Sequence, residues 1–270
     1  MMKLYDLHVH TNLSSCASKT NADGVDYVRE AEKGGLAAIG FADHAWDENI
    51  SGAWDWYKSQ TFERLKTTRE DVKAINPSIR VLFGAEAEYA KDNILAISEM
   101  GAELLDYVIV PHSHTHMVGY VLPDDCDTNE KHAAYLIKSL FSLCTHPKKH
   151  LYLGVAHPLF PHGNAERIDD ILSHITDSDI NECLAAAKEN DILLELNLGV
   201  LNLCGINGIV DSEYARWIRL AASNGNHFFF GSDKHSVIPY GKSDYFYDAP
   251  KYMALLGLTD EHFSKALTKI

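Results

Sequence analysis

The stretch "DLHVHT" near the start of the chain places His8 and His10 two residues apart, with Asp6 two residues upstream of the first. Successive side chains of a strand point to opposite faces, so residues two apart share a face and both imidazoles can reach one point. Such a pair can hold a metal ion. By itself it is equally an ordinary core histidine beside an exposed one, because short motifs match by chance. The decision has to come from the other polar residues of ligand type. They are His44 in "FADH", Glu86 and Glu88 in "GAEAEY", His112 and His114 in "VIVPHSH", His157 in "VAHP", and Asp233 and His235 in "GSDKHS".

These residues sit at the ends of apolar runs of strand length. The runs cover 4–10, 37–44, 80–89, 106–114, 151–158, 192–199 and 227–235, and the segments between them have helical spacing or helix-favouring composition. Helix stops are visible at Gly34-Gly35 and Asn224-Gly225. Alternation of strand and helix predicts a parallel sheet. Seven such units, with no glycine-rich phosphate loop after the first strand, predict a closed or nearly closed β/α barrel rather than an open doubly wound sheet. A chain of 270 residues fits one such domain over residues 1–270. In a parallel barrel the C-terminal strand ends converge on one mouth, so the ligand-type residues are expected to meet there.

Many histidines with few carboxylates suit zinc, manganese or iron, whereas magnesium and calcium prefer all-oxygen sites. His8, His10, His44, Glu86, His112, His157, Asp233 and His235 exceed the needs of one tetrahedral ion, and a central carboxylate can bridge two. The expectation is a cluster of two to three divalent metal ions. Two ions about 3.5 to 4 Å apart can generate hydroxide near neutral pH and clamp the attacking and leaving oxygens of an in-line displacement, which is hydrolytic phosphoryl chemistry.

The formal net charge of −14 repels phosphate backbones and disfavours nucleic acid as a partner. A small anionic substrate is still compatible, since bound cations would reverse the local field. Cys16, Cys126, Cys144, Cys183 and Cys204 are scattered and form no CxxC pair, which argues for a reducing compartment. With no signal-like or membrane-spanning apolar segment, the expected location is cytoplasmic. The insertion "AWDENISGAWDWYKSQ" carries Trp46, Trp54 and Trp56, which either roof one end of the barrel or close over a substrate.

Taken in order, "DLHVHT", "FADH", "GAEAEY", "VIVPHSH", "VAHP", "LELN" and "GSDKHS" resemble the motifs of the polymerase and histidinol phosphatase (PHP) family of metal-dependent phosphoesterases. The resemblance implies a distorted seven-stranded, TIM-like β/α barrel of the PHP type. It implies that His8, His10, Glu86 and Asp233 hold a first metal and that Glu86 bridges to a second held by His112 and His157. His44 and His235 then belong to a third, with Glu86, Asp233 and His235 carrying catalysis. The family commonly places a histidine or aspartate where this chain has Cys16. A thiolate there suits zinc better than manganese, and the same residue also reads as a small packing side chain on a loop.

Length and the tryptophan insertion resemble the histidinol-phosphatase branch, which implies hydrolysis of L-histidinol phosphate, a step of histidine biosynthesis, by a metal-bridging hydroxide. That branch grips phosphate with arginines, one of them shortly after its "LEIN"-type motif. The corresponding "NLGVLNLCGINGIVD" has none. Arg167 is therefore expected to take the cationic role, with Lys234 and Lys242 as further candidates and Trp54 and Trp56 facing the leaving group. The alternatives are another small phosphorylated metabolite, a phosphotyrosine substrate, or a metal-binding barrel without catalysis.

Overall fold

Seven parallel strands form the centre of the molecule: β1 (Tyr5–Val9), β2 (Ala38–Ala45), β3 (Arg80–Ala87), β4 (Tyr107–Pro111), β5 (Gly154–Ala156), β6 (Leu193–Asn197) and β7 (Phe228–Gly231). Their order in the sheet is their order in the chain. The structure is a computed structural model that describes residues 3–241 and 244–270. Strands β1, β2, β4, β6 and β7 are buried along their whole length. Helices on the outside and packed side chains within explain why these strands read as near-continuous apolar runs instead of alternating ones.

The helices begin where the chemistry of their caps demands. Asp23, Thr61, Thr128, Thr176 and Ser212 accept backbone N–H groups at the starts of α1 (Gly24–Gly34), α2 (Phe62–Ala74), α3 (Asn129–Cys144), α4 (Asp177–Glu189) and α5 (Glu213–Ser223). Gly35, at φ 73°, ends α1 in the left-handed conformation. The stretch after β3 departs from expectation. Instead of a full helix it forms a two-stranded hairpin, Tyr89–Ala90 with Ile94–Leu95, followed by the short helix Glu99–Ala102. Asp92 and Asn93 both take positive φ at the hairpin turn, a conformation no helix contains.

Closure between the last and first strands decides the shape of the mouth. Beyond β7 the chain pairs with β1 through a bridge between Val9 and Lys234. Asp233 N–H donates to His8 O at 2.7 Å and His10 N–H to Lys234 O at 2.8 Å. The Asp6 carboxylate completes the seam by accepting from Ser232 N–H at 3.0 Å, His8 N–H at 3.1 Å and the Tyr240 hydroxyl at 2.6 Å. The pairing of β1 with β2 slips between Asp6 and Val9, an irregularity of the kind that re-aims side chains beside active sites. The result is a distorted, nearly closed β/α barrel. Among the described residues no helix is long and apolar enough to cross a membrane.

Candidate metal centre

Glu86, at the end of β3, is the point on which the strand ends converge. Its Oε2 lies 3.0 Å from His44 Nδ1, 3.6 Å from His8 Nε2 and 3.7 Å from His10 Nε2. Its Oε1 lies 2.8 Å from His157 Nε2 and 3.7 Å from His114 Nε2. Each oxygen therefore faces its own set of imidazoles. Asp233 Oδ1 adds a second carboxylate, 3.1 Å from His10 Nε2 and 3.7 Å from His8 Nε2. In each of four sets the ligand atoms lie within 4.8 Å of one another: His8, His10 and Asp233; His8, Glu86 and His157; His114, His157 and His162; and His10, Cys16, His44 and His235.

The hydrogen bonds behind these rings decide which nitrogens carry protons. Glu195 Oε1 accepts from His8 Nδ1 at 2.8 Å, and Glu88 Oε2 accepts from His114 Nδ1 at 2.7 Å. Ser14 spends its proton on Asp43 Oδ1 at 2.6 Å and so accepts from His10 Nδ1 at 3.2 Å. Ser113 donates to His157 O at 3.1 Å and accepts from His157 Nδ1 at 2.8 Å. With four Nδ1 protons anchored outward, the four Nε2 lone pairs point inward at Glu86 and at each other. His8 Nε2 and His10 Nε2 are only 3.1 Å apart. Lone pairs aimed at lone pairs and at a carboxylate repel unless a cation lies among them, and outward anchoring of this kind is how histidine ligands are oriented toward metals. Glu86 Oε2, His44 Nδ1 and His162 Nε2 are also buried with no hydrogen-bond partner. The residues present therefore fit divalent metal ions.

Electrostatics agree. Burial works against the Glu86 and Asp233 anions, but the histidines beside each outweigh it and hold both carboxyls well below the usual range. Burial likewise disfavours charge on His8, yet Glu195, Asp233 and Glu86 raise its pKa well above that of an ordinary histidine, so that its inward Nε2 takes up a proton where no ion is bound. His10 goes the other way, pushed well down by burial and by His235 and His44. Burial pushes the Cys16 thiol up, while hydrogen bonds from His235 and His44 bring it down to about 7. The site is built to be occupied by positive charge.

Two ligand-type residues hold strained backbone. His157 and Asp233 have φ of 31° and 57°, a region that costs a side-chain-bearing residue about 1–3 kcal/mol and persists only where surroundings enforce it. Glu195 Oε2 accepts the His157 N–H in a short hydrogen bond, and His8 O accepts the Asp233 N–H. Gly231 makes room for this arrangement, since a Cβ there would lie 1.8 Å from Glu195 Oε1.

Several residues expected from sequence lie elsewhere. His112 Nε2 accepts the Leu159 N–H at 3.0 Å and its ring stays outside every ligand set, while His114 is the histidine that faces Glu86. Burial pushes His112 down to about 3, so it stays neutral and holds the turn after His157. Lys234 is buried, with Nζ 2.9 Å from Asp244 Oδ2 and 3.6 Å from the centre of the Tyr240 ring, and does not reach the mouth. Arg167 is exposed in the short turn Ala165–Arg167, away from the cavity lining. Lys242 lies outside the described residues.

The mouth itself is a cavity of about 360 Å³ whose lining includes Cys16, Glu86, Asp233 and His235 together with Trp54, Trp56, Tyr57 and Met117. Trp56 meets His44 edge-on at 5.1 Å, and Trp54 packs on Tyr120 at 5.3 Å. Trp46 is buried behind them against Tyr57. His116 and His162 complete the polar lining. Sequence reasoning missed both, as it missed the anchoring role of Glu195. His162 sits in an irregular loop five residues after His157, where only its residue type signals a ligand.

Glu195→Gln tests the anchoring directly. The amide can donate where the carboxylate only accepts, so His8 loses its fixed tautomer. Metal affinity, measured by competition with a chelator, is expected to fall about 10- to 100-fold while circular dichroism stays unchanged. Unaltered affinity would show that Glu195 does not orient the ligand.

Comparison with known proteins follows the same lines. Residues 6–198 match the model of the PHP domain. No curated protein sequence matches the chain. Among solved structures, histidinol phosphate phosphatase from Lactococcus lactis subsp. lactis, complexed with zinc, L-histidinol and phosphate, superposes with a TM-score of 0.58 at 14% identity, covering 96% of this chain and 95% of that one. The putative histidinol phosphatase from Listeria monocytogenes superposes with a TM-score of 0.63 at 14% identity, covering 88% of this chain and 98% of that one. At that identity the likeness is one of fold. The family rests on the domain match, which spans the strands bearing His8, His10, His44, Glu86, His114 and His157: the chain belongs to the PHP domain family.

Proposed function

We propose that the protein is a metal-dependent phosphoesterase that hydrolyses a small phosphomonoester, with L-histidinol phosphate the leading substrate. The observation that carries this reading is Glu86, a buried carboxylate whose two oxygens face separate sets of imidazoles. His8, His10, Glu86 and Asp233 would hold one ion, Glu86, His114 and His157 with His162 a second, and Cys16, His44 and His235 a third. Bound divalent ions would supply Lewis acidity toward phosphoryl oxygens and lower the pKa of water.

The chain's own groups do the rest. Glu86 and Asp233, both held ionised, keep the site's charge fixed. His235 Nδ1 donates to Asp233 O at 2.9 Å, which fixes the ring at the cavity wall with Nε2 left to serve the site or to pass a proton to the leaving group. The aromatic wall of Trp54 and Trp56 excludes water on the side open to the leaving group and suits a flat ring. Support for histidinol phosphate comes from this wall and from the Lactococcus protein, which binds L-histidinol and phosphate on a barrel of the same fold.

The deciding experiment is phosphate release by metal-reconstituted protein across small phosphomonoesters that include L-histidinol phosphate, phosphotyrosine and p-nitrophenyl phosphate. L-histidinol phosphate is expected to have the highest kcat/KM. Equal efficiency on all esters replaces the dedicated reading with a less selective phosphoesterase, and metal binding without any release leaves a non-catalytic barrel.

Glu86→Gln is expected to fold normally and lose turnover by on the order of a thousandfold or more, because an amide cannot balance charge on both sides. Wild-type turnover would show that the bridge is misplaced. Cys16→Ser should lower bound metal by one equivalent on elemental analysis. Unchanged stoichiometry would leave Cys16 a rim residue and remove the third set.

A further inference from the structure

The cavity at the barrel mouth contains no lysine or arginine among its described lining residues. A phosphomonoester carries charge on its nonbridging oxygens, and a site that hydrolyses it needs donors beyond the ions to hold and orient that group. Nearly every polar lining residue is already committed. Cys16, His44, His114, His162, Asp233 and His235 belong to the ligand sets, as does Glu86. The Tyr57 hydroxyl donates to Glu88.

Among the lining histidines His116 is the exception. It lines the cavity, belongs to no ligand set, and is exposed there with no hydrogen bond to another described residue, so its N–H is open to a ligand entering from solvent. Its ring centre lies 5.6 Å from that of His114 and 6.2 Å from that of His162, one group's width from the site. Its backbone is also held in place. Thr115 Oγ1 donates to His162 O at 3.0 Å and Met117 N–H to His114 O at 3.0 Å, which fixes the turn on either side of it. Opposite stands Gly163 at φ +83°, where a Cβ would come within 2.6 Å of His116 Cβ. Both the backbone conformation and the close approach there call for glycine.

We infer that His116 is a substrate-contacting residue, its imidazole N–H donating to a nonbridging phosphate oxygen in the position a fixed cation would otherwise occupy. The inference rests on the phosphoesterase reading above and names the residue that recognises phosphate within it. A neutral donor makes a weaker and more directional contact than a guanidinium, so phosphate charge is met chiefly by the ions and its orientation by His116.

The test compares wild type, His116→Ala and His116→Asn, each reconstituted with metal, in three measurements: metal content, calorimetric affinity for inorganic phosphate, and kcat/KM on whichever phosphomonoester the wild type turns over best. Removing the donor is expected to lower kcat/KM and phosphate affinity by about 10- to 100-fold. The asparagine, which keeps an N–H, should recover most of the loss, and all three proteins should carry equal metal. An active wild type with an unaffected alanine variant overturns the assignment of His116 alone. Loss of metal in the alanine variant overturns it too, by making the residue a ligand. A wild type inactive on every ester overturns the phosphoesterase reading and this inference with it.

Discussion

A carboxylate cannot be taken out of water without compensation, and Glu86 is fully enclosed at the heart of the barrel mouth. Its compensation is unusual in kind. Hydrogen-bond donors would suffice for an isolated buried acid, but the rings around Glu86 have their Nδ1 protons fastened to Glu195, Glu88, Ser14 and Ser113. They turn toward Glu86 an Nε2 that takes either a proton or a metal ion. The arrangement is stable only with positive charge among these atoms, so the demand for cations is written into the hydrogen bonds one layer behind the ligands.

Other buried acids make that layer rigid. Asp6 ties β1 to the segment after β7, and Asp43 gathers Thr11 N–H at 2.7 Å, the Thr11 hydroxyl at 2.7 Å and the Ser14 hydroxyl at 2.6 Å. Burial raises the pKa of both, against hydrogen bonds that favour their anions. Neither acid belongs to a ligand set. Their effect is to hold the two ends of the "DLHVHT" turn, so that His8 and His10 reach the mouth although β1 slips in register just before them. Barrel closure and ligand geometry are thus the same set of bonds.

What could be read in advance follows from periodicity. Seven apolar runs and the polar residues at their ends are local signals, and they were enough for the barrel and for the convergence of His8, His10, His44, Glu86, His157 and Asp233. Periodicity could not choose between His112 and His114, because residues two apart share a face, and only the fold shows that Leu159 N–H claims the first. The same alternation argues against Lys234 as a mouth residue: flanked by Asp233 and His235, it turns away and pairs with Asp244. Glu195, His116 and His162 depend on contacts between distant segments, which no local pattern encodes. The hairpin after β3 was obscured because "NILAISEMGAELL" has apolar spacing close to a helix, while its turn lies at the very start of that stretch, at Asn93 and the preceding Asp92.

A protein of net charge −14 that acts on a phosphomonoester, as proposed, would have to localise its positive charge. Surface lysines would do this diffusely, at the cost of attracting any polyanion; ions held at the bottom of a cavity without Lys or Arg among its described lining residues would do it at one point. That choice moves selectivity elsewhere. Every phosphomonoester presents the same head to the ions, so discrimination between esters falls to the wall that meets the leaving group, formed by Trp54, Trp56, Tyr57 and Met117. Of these, Tyr57 is fastened through Glu88 to His114, which links the shape of the wall to the position of a ligand. Trp54 is about half exposed, at 46%, and leans on Tyr120 outside the anchored core. On the proposed reading, the anchored part of the wall would serve the chemistry common to all substrates, and the exposed part would meet what differs between them.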